Sequence, residues 1–152
     1  METSYHYKTT GRNRKAKRVG KLNKKIMNWY LKVLKEHYAD FNGRARRKEY
    51  WMFALFNFII ALVLSFIDGL LGLTITGAGV GVLYMVYALI VLIPGIALSV
   101  RRLHDIGKSG WMLLVVFIPL IGAIWLLVLF VTDSNPGSNE YGPNPKESPA
   151  TA

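Results

Sequence analysis

Residues 50–67 read YWMFALFNFIIALVLSFI, without one charged side chain. An uncharged apolar run of about 18 or more residues is the signature of a membrane-spanning helix, because the hydrocarbon core takes about 20 residues to cross. Two further uncharged runs follow, at 69–100 and 109–132. Apolar residues make up 52% of the 152-residue chain and charged residues 18%. So much apolar sequence cannot stay solvated, which excludes a disordered chain. Its concentration in three runs argues against an ordinary soluble domain. The expected fold class is an all-α membrane protein with three transmembrane helices, at about 50–73, 82–100 and 111–131.

Working outward, the charge is as uneven as the apolar content. Before Tyr50 there are fifteen Lys and Arg against four acids, a net of +11; from Tyr50 onward four oppose five, a net of −1. Residues 1–25 are basic and aperiodic, and are expected to form a disordered tail that holds this end in the cytoplasm and touches anionic lipid. Nucleic-acid binding through the same Lys and Arg is disfavoured, since no base-reading fold or stacking platform accompanies them. The tail lacks the apolar core of a cleavable signal peptide. In residues 26–38, Ile26, Trp29, Tyr30, Val33, Leu34 and His37 recur at three- and four-residue steps, which predicts an amphipathic interfacial helix.

Arg44, Arg46, Arg47 and Lys48 abut the first span and mark a cytoplasmic membrane border, with Tyr50 and Trp51 as an aromatic belt. Asp68 falls near the far interface. Residues 77–81 make a short uncharged reversal, and 101–110 a polar loop of net +2 holding Arg101, Arg102, His104, Asp105 and Lys108. After Thr132 a Pro/Gly/Asn-rich segment is irregular, and 148–152 is a disordered end. Lys and Arg in the flanks place the N-terminus in the cytoplasm and, with three spans, the C-terminus outside. The 26–147 region forms one membrane domain.

The motifs at 27–34 (Met27-Asn28-Trp29-Tyr30), 41–51 (Phe41-Asn42-Gly43-Arg44, then Arg46-Arg47-Lys48-Glu49-Tyr50-Trp51), 101–105 (Arg101-Arg102-Leu103-His104-Asp105) and 137–146 (Gly137 through Tyr141-Gly142-Pro143-Asn144-Pro145-Lys146) come in this order in one family. Over residues 27–147 the chain resembles the YhaH-like bacterial inner-membrane proteins grouped as domain of unknown function 805. The resemblance implies a small multi-pass protein of the bacterial cytoplasmic (inner) membrane and no assigned activity. Such proteins begin near Met27, so residues 1–26 are an addition to the pattern.

The chain has no cysteine, which excludes disulfides, zinc–thiolate sites and thiol nucleophiles. Its three histidines lie far apart, so no metal site and no cofactor are expected. Gly107-Lys108-Ser109 lacks the upstream glycine and strand of a phosphate-binding loop; Ser109 is instead a candidate N-cap. His104 and Asp105 are the weak candidates for acid–base catalysis, but neighbours on a helix point about 100° apart. Pro94 and Pro119 each remove a backbone hydrogen bond and should bend their helices, and the freed carbonyls need partners inside protein. Gly95 and Ser99 suit close helix packing, with a shallow cytoplasmic cavity as the competing reading.

The function these features favour is non-enzymatic. Arg44, Arg46, Arg47, Arg101, Arg102 and Lys108 would bind lipid phosphates, with anionic headgroups, further copies of the chain or other membrane proteins as partners. A small transporter or channel subunit is the alternative, weakened by spans almost free of ionisable residues. A membrane enzyme acting on phosphorylated lipid ranks third. Asp105, the only acid in its loop, is expected to pair with Arg44, Arg46 or Arg47, because a carboxylate at a half-dry border is costly alone.

Overall fold

The computed structural model describes residues 30, 31, 33–35, 38–75 and 79–147. The basic tail 1–25, the start of the amphipathic segment and the end 148–152 lie outside these residues. Two helices dominate, α1 (Arg47–Leu71) and α2 (Val82–Asp105). By length and composition, both are long and apolar enough to cross a membrane. They run antiparallel, joined by a minimal hairpin of β1 (Thr74–Ile75) and β2 (Val80–Gly81) that pairs Thr74 with Gly81 and Ile75 with Val80. Gly72 makes this turn, ending α1 at φ 65°, a left-handed conformation that glycine adopts without a Cβ penalty.

Helix α2 starts at Gly81 and Val82 with no capping side chain of its own. Its orphan N–H groups are met from α1, where Asp68 accepts from Leu83 N at 3.1 Å and Tyr84 N at 3.0 Å. Asp68 is 1% exposed. A Cβ at position 81 would stand 1.9 Å from its Oδ2, so glycine is required there.

The far end of α2 extends beyond its expected limit. Arg101 to Asp105 form its last helical residues, and only 106–109 remain as a loop. Gly107, at φ 66°, is the first residue that reverses the chain.

The third apolar run is a correction to the expected single span. It divides into a 3-10 helix (Gly110–Phe117) and α3 (Ile121–Val131). Eight residues of 3-10 helix rise about 16 Å, and eleven of α-helix also about 16 Å; each falls well short of a hydrocarbon core of about 30 Å. The two legs fold back on each other. Gly122 lies so close to the first leg that a Cβ there would meet the Val115 carbonyl oxygen at 1.8 Å. Gly110 packs on Val100, while the Phe130 and Thr132 carbonyls reach Arg102, so both ends of the hairpin meet the same end of α2.

Pro119 explains the break. It has no N–H to continue the helix, and it pushes the preceding Ile118 into an extended conformation (φ −84°, ψ 109°). The Pro119 carbonyl then accepts from Ile121 N at 2.7 Å, across Leu120 at φ 61°, ψ −57°. That is a γ-turn of the strained hand.

The core occupies the end of the bundle away from the β-hairpin. One cluster joins Tyr30, Val33 and Ala45 to Phe53 and Leu98; the other joins Leu103 and Ile106 to Leu126, Leu129 and Phe130. Tyr50 packs against both. Within the amphipathic segment, residues 30, 31 and 33–35 are helical. Its apolar side is turned against α1 and α2, since Tyr30 stacks on Phe53 at 5.4 Å and Val33 is fully buried.

Candidate functional site

The cluster with the most concentrated chemistry lies where α1 begins and α2 ends. Ala45 N donates to the Arg101 carbonyl at 3.0 Å and ties the two helices there. Asp105, fully buried, is the centre. Its Oδ1 accepts from Arg44 Nε at 3.1 Å and its Oδ2 from Arg102 Nη1 at 2.5 Å. The Ser134 hydroxyl adds a third donor at 2.6 Å. The expected pair with the arginine cluster thus forms with Arg44, and Arg102 from the same turn joins it.

Two guanidiniums around one carboxylate leave a surplus positive charge, and backbone oxygens disperse it. Arg44 also donates to the carbonyls of Asp105, Asn135, Gly137 and Gly142. Arg102 donates to those of Phe130 and Thr132, the partly negative C-terminal end of α3. Removing one member of such a buried set leaves a charge uncompensated, at a cost of roughly 3–5 kcal/mol. The knot therefore fastens residues 130–142 to α1 and α2.

Around it lie smaller ties. Arg101 Nη2 donates to Glu49 at 2.7 Å. His104 stacks on Tyr141 at 3.7 Å, and its carbonyl accepts from Asn139 Nδ2 at 2.9 Å. Exposed Arg47 pairs with Asp133 at 3.3 Å, and Lys146 pairs with the same carboxylate. The Lys146 hydrogen bond, helped by the Ser134 N–H and by Arg47, holds Asp133 below the ordinary carboxylate range. These contacts set the segment after Thr132 beside Arg44 and His104, whereas the three-span expectation put it across the membrane from the N-terminal arm. It is irregular, as expected, but it binds Arg44 and His104 directly.

The expected phosphate-binding residues divide sharply. Arg44, Arg101 and Arg102 have side chains only 1%, 5% and 0% exposed. Protein acceptors hold Arg44 and Arg102 throughout, and Glu49 holds Arg101, whose Nε is buried without a partner among the described residues. Arg46 is half-buried, and Arg47, Lys48 and Lys108 are exposed. His104 and Asp105 do not form a pair: one faces Tyr141, the other the two arginines. Ser109 does cap the 3-10 helix, accepting from Trp111 N at 3.4 Å. Among the described residues no three His, Asp or Glu converge as metal ligands.

Sequence reasoning placed Asp68 near the far interface without giving it a role, and it passed over Ser134. Asp68 left a readable signal, because it is the only acid between positions 50 and 100 and α2 begins without a capping residue. Ser134 left none, since it reaches Asp105 only through the hairpin.

Two long apolar helices closed by an internal carboxylate cap at one end and an arginine knot at the other define a helical membrane protein. Residues 38–143 match the family described as "Protein of unknown function (DUF805)", and the chain belongs to that family. It is 47% identical over 123 residues to "Inner membrane protein YhaH" of Escherichia coli (strain K12), covering 81% of this chain and 100% of that relative. It is 48% identical over 120 residues to "Inner membrane protein YhaI" of the same strain, covering 79% and 97%. No solved structure matches the chain.

Proposed function

We propose that this chain is a non-enzymatic protein of the bacterial inner membrane, with two spanning helices and a hairpin that enters and leaves from the cytoplasmic side. Arg46, Arg47, Lys48 and Lys108 contact anionic headgroups there, each worth about 1 kcal/mol near the surface. The observation that carries this reading is the division of the cations. Arg44, Arg101 and Arg102 are consumed by the knot and its neighbour Glu49, while Lys48 and Lys108 are exposed, Arg46 is half-buried, and Arg47 is exposed although it pairs with Asp133. Positive charge at these flanks also favours a cytoplasmic location for them. Because residues 133–142 bind Arg44, the C-terminal segment shares that side. Further copies or other membrane proteins are proposed partners of the same face.

The transporter or channel reading has less support, since the two acids buried in these helices are both occupied, Asp68 in capping α2 and Asp105 in binding Arg44 and Arg102. The test is lipid retention. Protein purified in mild detergent should carry phosphatidylglycerol, and the Arg46→Glu, Arg47→Glu, Lys108→Glu triple variant should lose most of it. Equal retention by both proteins would refute the headgroup reading.

A further inference from the structure

A groove of about 680 Å³ runs between α1, α2 and the 3-10 helix. That is within the roughly 300–1,000 Å³ of ordinary ligand sites. Small side chains open it: Ala54 and Ala61 on α1, Ala88 and Gly95 on α2. In membrane helices small residues usually let two backbones approach. Here they do not, for a Cβ built on Gly95 meets nothing within 4 Å. The space is left empty by the protein, and its walls are mostly apolar, with Asn57, Tyr84, Tyr87 and Ser99 as polar members.

We propose that this groove seats one acyl chain of an anionic phospholipid of the cytoplasmic leaflet, with the lipid phosphate at Lys108. Three observations commit it to that occupant. First, the rim is apolar and open, with Leu92, Ile96, Leu114 and Phe117 all 45–79% exposed, so the groove meets the lipid laterally. Second, its length fits. From Ser99 to Tyr84 the groove follows α2 for about 22 Å, longer than the half-thickness of a hydrocarbon core, about 15 Å. Third, the charge fits. Lys108 is exposed and stands two residues before the 3-10 helix that forms the third wall. The hairpin thus gives the lipid both a wall for its chain and a cation for its head.

The proposal rests on the lipid-contacting reading only for the headgroup; the chain site stands on the groove itself. The full-length protein is placed in nanodiscs containing phosphatidylglycerol with a mid-chain diazirine, irradiated, and mapped by peptide mass spectrometry. Labelling should concentrate on Val91, Ile96 and Leu114, and fall at least fivefold in Gly95→Leu and in Ala88→Leu, which fills the same groove about two helical turns away. Lys108→Glu should shift the preference towards a choline-headed probe of the same chain while groove labelling persists. Uniform labelling that includes Phe58 and Phe66 would overturn the proposal, as would undiminished labelling in both filled variants or protein–protein cross-links replacing lipid ones. Reversal of Arg46 and Arg47 should lower total retained lipid without moving the groove labels. If it leaves retention unchanged, the headgroup reading fails and the groove remains.

Discussion

The Tyr38 hydroxyl donates to the Ile90 carbonyl at 2.8 Å. Ile90 stands four residues before Pro94, so its carbonyl is the one in α2 that proline deprives of a helical donor. A side chain from the segment before α1 supplies the missing hydrogen. The gap that Pro94 leaves in the hydrogen bonding of α2 is therefore satisfied by protein, as a break within a membrane helix must be.

Tyr38→Phe should destabilise the protein by about 1 kcal/mol, the net worth of one hydrogen bond, read as thermal unfolding in mild detergent. Pro94→Ala restores the native donor to Ile90. In that background Tyr38→Phe should cost almost nothing, and an unchanged cost would disprove the link.

Asp105→Asn leaves Arg44 and Arg102 buried around a neutral group. The expected loss is roughly 3–5 kcal/mol. Arg44→Met should be damaging in the native protein yet much milder once Asp105 is already Asn. Additive losses in the double variant would show that the two side chains are not coupled.

The absence of cysteine makes sidedness directly measurable. Ser138→Cys and Thr74→Cys both introduce an exposed thiol. A membrane-impermeant maleimide should reach Cys at 138 only from the cytoplasm and Cys at 74 only from the opposite side. Reaction of position 138 from outside would restore the three-span arrangement.

Gly122→Ala drives a Cβ into the Val115 carbonyl. It should cost on the order of 1–3 kcal/mol, as overpacking does, and make the hairpin accessible to protease. Gly95→Ala introduces the same methyl group into open space and should be neutral or stabilising by up to about 1 kcal/mol. Equal effects at the two glycines would contradict the contrast between them.

The two long helices were legible because their signals are one-dimensional, with unbroken apolar runs and cations at the border. The pairing of Asp105 was legible for a related reason, since a lone acid in a basic surrounding has few alternatives. The hairpin was not. Pro119 was visible, but whether a proline bends a helix or ends it depends on what the returning chain can touch. Here Gly122 and the arginine knot settle that, and both act across the fold. The same cause moved Arg44 and Arg102 indoors, for their backbone acceptors include carbonyls at the end of α3 and beyond, which local pattern had placed elsewhere.

The hairpin turns back partway, at Leu120. In the proposed two-span arrangement, one half of the bilayer accommodates α1, α2, both legs of the hairpin and helical residues 30, 31 and 33–35, while the other accommodates only two helices and a four-residue sheet. Such a body is a wedge. Each copy displaces more area from one leaflet than from the other, and many copies together would favour a membrane curved to match. The sign and size of that curvature follow from shape alone, and vesicles of different radius would sort the protein even if every headgroup were the same.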